Sequence, residues 1–249
     1  MSGDPVSRRG FLKLCASTGA LVAGSPSLLA NATPERVPSP PATLVRPDGR
    51  PLRLEDLVVG DSYVFHYPYV STPCFLINLG KPALPQDSLE LDDGRRYRWR
   101  GGVGPQRSVV AFSAICAHRM SYPTPTVSFI HYRHGPMAFT DKELNATQRE
   151  QVIYCCSEGS VYDPAEGCRV LGGPAPQPLA AIDLVLDERT GELRATGTYG
   201  GDMFERFFER FGFQLALQQR KDEEDIRALV TDTTEVVPLR EYSANTNVC

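Results

Sequence analysis

The chain has 249 residues, enough for one large domain or two small ones, and its 41% hydrophobic content is ample for a buried core. A net charge of −4 argues against a nucleic-acid partner, because binding to phosphates needs clustered lysine and arginine side chains. No apolar run reaches the ~18 residues expected of a membrane span. Specific short motifs must therefore carry the information about function.

The N-terminus resembles an export signal. Residues 7–13 read Ser-Arg-Arg-Gly-Phe-Leu-Lys and match the twin-arginine motif, and a weakly apolar stretch follows. Ala30-Asn31-Ala32 then supplies an A-x-A cleavage pattern. We expect residues 1–32 to be a twin-arginine signal peptide and the protein to be periplasmic. Retention of the segment as a membrane anchor is the alternative.

The next segment, residues 33–52, contains six prolines and few large apolar side chains, which predicts a stiff, extended linker. From residue 53 the chain becomes rich in β-formers, in short runs bounded by glycine and proline. We predict strands at 62–67, 74–79, 95–100, 108–113, 152–154, 161–162, 169–171, 181–186 and 193–197. Many short strands with frequent turns favour an antiparallel β-sandwich or barrel.

Two short loops carry the residues with the most distinctive chemistry. The first, Cys116-Ala117-His118, follows the predicted strand at 108–113, and the second begins at Cys155 after the strand at 152–154. Between them, Thr140 and Glu143 have the spacing of a helix capping box, which predicts a short helix near 141–151.

In the C-terminal part of the chain, the apolar residues recur at the spacing of a helix and no longer at that of a strand. Four phenylalanines at positions 204, 207, 208 and 211 predict an amphipathic helix that ends at Gly212, and a second helix is expected near Asp222. We therefore expect residues 199–249 to form a helical extension. Its aromatic stripe either packs onto the sheet or forms a docking face for a partner protein.

The seven cysteines are an odd number. Adjacent Cys155 and Cys156 rarely bond to each other, so at least one of them is available for a metal or a distant partner. Cys74 lies in an apolar strand and Cys168 in a turn, and both are expected to be buried neutral thiols. Cys249 is expected to be exposed.

The order of these motifs resembles the Rieske iron–sulfur family. The second loop reads Cys-Cys-Ser-Glu-Gly-Ser-Val-Tyr-Asp over residues 155–163 and leads to Gly-Gly-Pro-Ala-Pro at 172–176. In that family a Cys-x-His loop and a Cys-x-x-His loop bind a [2Fe–2S] cluster, and a proline loop covers it. The resemblance implies a Rieske-like antiparallel β domain over residues 53–198, with a cluster-binding subdomain.

The resemblance also implies a ligand set. Cys116, His118 and Cys155 match family ligands, but Glu158 stands where the family has its second histidine. Glu158 itself could ligate iron; Cys156, or His131 or His134 from the insert, could replace it; or the site could hold no metal. Some family members brace the two loops with a disulfide, and the two corresponding positions are here Ser121 and Ser157.

We therefore expect a periplasmic electron carrier or oxidoreductase subunit without a substrate of its own. Its partner would be a redox protein such as a cytochrome or an oxidoreductase large subunit. One alternative is a cluster-free Rieske-fold binding or assembly subunit that docks through its C-terminal helix. The other is a mononuclear zinc site built from Cys116, His118, Cys155 and Cys156.

Overall fold

The structure, a computed structural model, describes residues 36–200 and 202–246, and the predicted signal peptide lies outside them. No helix in these ranges is long and apolar enough to cross a membrane. The strands of the described chain are β1 (Val37–Val45), β2 (Ser62–His66), β3 (Pro73–Asn78), β4 (Gln86–Glu90), β5 (Arg96–Trp99), β6 (Val109–Ser113), β7 (Ile130–Arg133), β8 (Met137–Thr140), β9 (Ala146–Arg149), β10 (Val152–Cys155), β11 (Ser160–Asp163), β12 (Arg169–Gly172), β13 (Ala181–Leu186), β14 (Leu193–Tyr199), β15 (Asp232–Glu235) and β16 (Val237–Pro238). The predicted mostly β fold is confirmed.

The largest sheet has eight strands in the order β15-β1-β14-β13-β6-β3-β2-β16. Its two end strands are separated in the chain by a single residue, Val236, so the sheet must curl until its edges nearly meet. Thr234 in β15 links the edges, because its hydroxyl donates to the carbonyl oxygen of His66 in β2 at 2.9 Å. The sheet is therefore a nearly closed barrel, with fully buried side chains such as Phe75 and Phe112 in the core.

The prediction of a linker over residues 33–52 is wrong for much of its length, because β1 is a strand of the barrel. Ala42 and Leu44 are fully buried in it. Its register with β14 is irregular between Pro38 and Ala42, and β15 pairs only with residues from Ala42 onward. The prolines therefore lie where one edge of the strand is unpaired, and proline is tolerated there because no N–H is needed.

A second sheet is formed by the part of the chain between β6 and β13, which are adjacent strands of the barrel. Its order is β12-β11-β10-β7, and its strands all fall between β6 and β13. The first candidate loop leaves the barrel after β6, and the second is the turn between β10 and β11. Both loops thus belong to the segment between β6 and β13, as expected for the subdomain that the resemblance implies.

The helix predicted near residues 141–151 is wrong, because this segment forms the hairpin of β8 and β9. Asp141 accepts hydrogen bonds from the backbone N–H groups of Glu143 and Asn145, at 3.0 and 2.8 Å. Leu144 adopts a positive φ of 66°, which helical backbone does not allow. The aspartate therefore stabilises a turn instead of capping a helix.

The C-terminal region contains the predicted helices and also completes the barrel. Helix α1 (Met203–Gln219) continues past the predicted end at Gly212, and α2 (Glu223–Ile226) and α3 (Leu239–Tyr242) are short. The predicted extension from residue 199 is thus only partly helical, since β15 and β16 belong to the main sheet.

The aromatic stripe of α1 packs against the body of the protein. Phe207 and Phe208 are buried, and they make edge-to-face contacts with Tyr122 and Tyr69, each at a centroid distance of 5.0 Å. These side chains contribute to the core, so the stripe is not free to dock a partner.

Burial of His66 predicts that the protein loses stability in acid. Burial lowers the pKa of His66 to about 4, and its Nε2 lies 3.3 Å from the hydroxyl of Tyr242. Between its ordinary pKa of 6.5 and about 4, the unfolded chain binds more protons, so stability is complete above this window and falls as the pH drops through it. We expect His66→Gln to remove roughly 2–3 kcal/mol of this pH dependence, measured by urea unfolding.

His131 provides the control for this experiment. Burial, with a contribution from Arg133, lowers the pKa of His131 to about 4 as well, and that residue is unchanged in both proteins. The variant should therefore keep a weaker loss of stability of the same sign. A pH dependence identical to that of the wild type would contradict the assignment.

Candidate metal centre

The first loop is a tight turn that follows β6. The backbone N–H of Cys116 donates to the carbonyl of Ser121 at 2.9 Å, and the N–H of Met120 donates to the carbonyl of Cys116 at 2.9 Å. Met120 adopts a positive φ of 62°, which reverses the chain. The turn buries the thiol of Cys116 and leaves the side chain of His118 27% exposed.

The second loop is the turn of the β10–β11 hairpin. Cys155 and Ser160 are paired across the hairpin, and the N–H of Gly159 donates to the carbonyl of Cys155 at 2.9 Å. Gly159 has a φ of 77°, a conformation that favours glycine. The hairpin therefore buries Cys155 at its base and presents Glu158 at its tip, where the side chain is 22% exposed.

The proline loop packs closely on the second loop. A Cβ atom at Gly173, which has a φ of +78°, would lie 2.3 Å from the carbonyl oxygen of Gly159. We expect Gly173→Ala to lower the free energy of unfolding by about 2–4 kcal/mol, from backbone strain together with overpacking. Chemical denaturation measures the loss.

Gly135 offers a matched control, because a Cβ atom there meets no atom within 4 Å and no positive φ is required. Gly135→Ala should change the stability by less than about 0.5 kcal/mol. Equal effects of the two variants would show that the close approach of the proline loop is not a constraint.

The two loops bring a pair of thiols together at their base. Cys116 and Cys155 are fully buried, free of disulfides, and hydrogen-bonded to each other. The hydroxyl of Tyr162 lies 3.3 Å from the Sγ of Cys116 and accepts the N–H of Ala117 at 3.2 Å. Tyr162 of β11, the strand that follows the second loop, is thus bonded to two residues of the first loop.

Hydrogen bonding shifts the pKa values of the two thiols in opposite directions. The hydrogen bond from Cys155, helped by that from Tyr162, lowers the pKa of Cys116. The same contact with Cys116, together with burial, raises the pKa of Cys155. The pair therefore favours one thiolate held against one thiol, a soft and partly anionic donor pair.

A second pair of donors lies at the tips of the loops. The Nδ1 of His118 is 3.4 Å from Oε2 of Glu158, and the Nε of Arg119 is 3.1 Å from Oε1. Arg119 is 61% exposed, so this end of the site reaches solvent. The four residues predicted as ligands are therefore arranged as a buried sulfur pair and a partly exposed histidine–carboxylate pair.

Two polar atoms near these pairs have no hydrogen-bond partner. They are the buried Oγ of Ser160 and the buried Nδ1 of His118, whose 3.4 Å contact with Glu158 is within ion-pair distance but lacks hydrogen-bond geometry. Buried polar atoms are normally satisfied, so each could be satisfied by a group bound between the loops. The donor set also fits a [2Fe–2S] group, because thiolates and imidazole are its usual ligands and carboxylate is an acceptable one.

The remaining candidates do not join this site. Cys156 is disulfide-bonded, so its sulfur does not offer a thiolate. His131 is paired with Tyr154 and not with Cys155, so strand alternation puts its side chain on the opposite face of the sheet. His134 contacts Tyr132 instead, with its Nδ1 3.4 Å from the tyrosine hydroxyl.

Two buried cysteines outside the site, Cys74 and Cys168, have the state that the sequence predicts. Cys74 is fully buried, and its thiol donates to the carbonyl of Tyr67 at 3.0 Å. Cys168 is also fully buried, and burial raises its pKa well above the ordinary value, with a smaller contribution from Asp163. Both predictions of neutral core thiols are confirmed.

Within the described ranges, no three or more His, Cys, Asp or Glu side chains gather around one point that could hold a single metal ion. Sequence reasoning did not identify Arg119, since an arginine beside a histidine carries no signal of its own. The role of Tyr162 could have been found from the Gly-Ser-x-Tyr-Asp pattern, which includes it.

No family model matches the chain. The chain is similar to the crystal structure of the soluble domain of the Rieske protein II (soxF) from Sulfolobus acidocaldarius, with a TM-score of 0.44 and 24% sequence identity. The match covers 66% of this chain and 82% of that one. The nature of the site therefore depends on the contacts described above.

Proposed function

We propose that the protein is an electron carrier, or an electron-transfer subunit, with a modified Rieske-type [2Fe–2S] site. Cys116 and Cys155 would bind one iron, and His118 and Glu158 the other. The observation that carries this proposal is the division of the four residues into a buried sulfur pair and a partly exposed pair at the loop tips. When bound, a [2Fe–2S] group stores and releases single electrons.

The residues around the pairs have defined roles in this proposal. Tyr162 would donate a hydrogen bond from its hydroxyl to the Cys116 sulfur, which stabilises the sulfur charge and favours the reduced state. Gly173 and the rigid proline loop would exclude water from the base of the site. Only the His118–Glu158 end reaches solvent, so electrons would enter and leave there.

Glu158 distinguishes this site from the usual family pattern, and Arg119 lies beside it. A carboxylate ligand adds a negative charge that a histidine would not, and this lowers the reduction potential. The guanidinium of Arg119, 3.1 Å from Glu158, compensates part of that charge. We infer a potential below that of a site with two histidines, and no quinone-binding imidazole at position 158.

The proposed compartment is the periplasm, reached by the twin-arginine route. The motif at residues 7–13 supports export of a folded, cofactor-loaded protein. The disulfide at Cys156 also suits an oxidising compartment. The partner would be a redox protein such as a cytochrome or an oxidoreductase large subunit.

Iron and acid-labile sulfide analysis tests the proposal. We expect two irons and two sulfides per chain in protein matured in an export-competent host, and a Rieske-type or shifted electron paramagnetic resonance signal after reduction. Folded protein from that host without iron would contradict the proposal and favour a cluster-free scaffold. Stoichiometric zinc in place of iron would also contradict the proposal and favour a mononuclear site.

A further inference from the structure

We propose that a cavity beside the second loop binds a small aromatic carboxylate. This hairpin cavity lies between the β8–β9 hairpin, the second loop and the proline loop, and its lining includes Phe139, Lys142, Leu144, Tyr154, Gly159 and Pro174. Its charge, its aromatic surface and the fixed position of the hairpin favour such a ligand. Binding there is separate from the proposed electron transfer and does not depend on whether the metal centre holds iron.

The β8–β9 hairpin is attached to the second sheet at two points, so the hairpin cavity has fixed walls. Asp141 forms an isolated bridge with Gly172 of β12. A Cβ atom at Gly172 would lie 2.3 Å from the carbonyl oxygen of Thr140, so backbone meets backbone here. Near the base of the hairpin, Arg149 is ion-paired at 2.8 Å with Asp163, whose side chain is buried.

The hairpin cavity has the size and the walls of a small-molecule site. Its volume is about 750 Å³, and such sites commonly measure roughly 300–1,000 Å³. Phe139 and Tyr154 bring two aromatic rings to the lining, and Leu144, which is 84% exposed, adds apolar surface that water still covers. A flat aromatic molecule would bury this surface, and burial of apolar area favours binding.

Lys142 gives the hairpin cavity a cation without a counterion. The other charged residue of the lining is Asp141, whose oxygens already accept hydrogen bonds from the backbone N–H groups of Glu143 and Asn145. Lys142, by contrast, makes no ion pair with any residue in the part of the chain that the structure describes. A ligand carboxylate complements this ammonium group, and its charge strengthens the hydrogen bond between them.

A second, smaller cavity also borders the hairpin, but its charges suit an anion less well. Its volume is about 410 Å³, and Lys142 lines it too. There, however, Glu143 adds a carboxylate beside the lysine, and Arg169 is already ion-paired with Glu166. An anionic ligand is therefore favoured on the side of Tyr154.

The sheet face that bears Tyr154 also has unused hydrogen-bonding capacity. Tyr154 is directly opposite His131 in the pairing of β10 with β7, so the two side chains are neighbours on one face. His131 is 4% exposed, and neither of its ring nitrogens has a hydrogen-bond partner. Buried polar atoms are normally satisfied, so this face can accommodate a further polar group beside Tyr154.

Titration of the mature protein with 2-naphthoate, followed by saturation-transfer difference NMR, tests this ligand site. We expect saturable binding with a dissociation constant of about 1 mM or below. Lys142→Gln should weaken binding by about 3- to 5-fold, because it removes an exposed cation. Tyr154→Val keeps a strand-forming residue but removes a ring, and should weaken binding by about 5- to 10-fold. The neutral 2-naphthamide should bind the wild type about as weakly as the acid binds the Lys142 variant.

Arg169→Gln is the matched control, because Arg169 lines the second cavity but not the hairpin cavity. This variant should bind 2-naphthoate as tightly as the wild type does. Three results would each overturn the proposal: no saturable binding of 2-naphthoate, equal affinity for the acid and the amide, or equal losses of affinity in the Arg169 and Lys142 variants. None of these readouts depends on iron, so failure of the ligand site can be told apart from failure of the electron-carrier proposal.

Discussion

Replacement of Cys116 by alanine should abolish iron binding. Its buried sulfur is hydrogen-bonded to Cys155 and lies 3.3 Å from the hydroxyl of Tyr162, whose oxygen is a harder donor than a thiolate. Thiolates dominate the affinity for iron–sulfur clusters, and loss of one leaves a bound iron with an incomplete set of ligands. Iron per chain should fall to about a tenth of the wild-type value or less, measured with acid-labile sulfide.

Cys168→Ala is the matched control. Cys168 is equally buried and also a free thiol, but the chain around it contributes no predicted ligand. Both substitutions remove one sulfur from the core and should cost similar stability, about 1–2 kcal/mol. Full iron content in the Cys168 variant and none in the Cys116 variant would assign the site. Iron retained in the Cys116 variant would show that the metal binds elsewhere.

The folded state of the two variants must be compared directly. The hydroxyl of Tyr162 still accepts the N–H of Ala117 at 3.2 Å in the Cys116 variant, so the first loop keeps one of its fixed contacts. Urea unfolding of both proteins without iron should therefore give similar midpoints. A loss of iron that accompanies global unfolding would say nothing about ligation.

Five strands of the barrel could be predicted because each is a short apolar run bounded by turn residues, namely β2, β3, β6, β13 and β14. The strand β1 (Val37–Val45) could not, because its prolines suggested a linker and its place in the sheet depends on pairing with strands distant in the chain. The strands β15 and β16 were missed, because the helical spacing before them suggested that the whole C-terminal part was helical. The turn at Asp141 was mistaken for the first turn of a helix because Thr140 and Glu143 have the spacing of a capping box, whereas Asp141 accepts the backbone N–H groups of a tight turn. Local patterns thus gave the elements, but long-range pairing decided between alternatives.

In the site, too, local motifs predicted some features, while others depended on contacts between distant parts of the chain. The motifs predicted that Cys116, His118, Cys155 and Glu158 would converge, and the described contacts join them as two pairs. The exclusion of His131 required the register of β7 against β10, which no motif reports. The ion pair of Arg119 with Glu158 depends on the relative positions of the two loop tips, which spacing alone does not specify.

Glu158→His should raise the reduction potential by on the order of 100 mV or more, if the carboxylate is the fourth ligand. The substitution replaces an anionic ligand with a neutral one, so the oxidised state loses more stabilisation than the reduced state. Arg119, now without its carboxylate partner at 3.1 Å, adds its positive charge to the same effect. Spectroelectrochemical titration followed by electron paramagnetic resonance measures the change.

Glu166→His separates ligation from a simple change of charge. Glu166 is ion-paired with Arg169 in the turn after Asp163 and is not a predicted ligand, so its substitution removes the same charge at a more distant place. Screening by solvent should limit its effect to about 10–20 mV. A large shift and an altered spectrum for Glu158→His alone would identify the carboxylate as a ligand. Equal small shifts in the two variants, with unchanged spectra, would mean that the fourth donor is another group, because a ligand exchange must alter the electronic structure of the iron to which it binds.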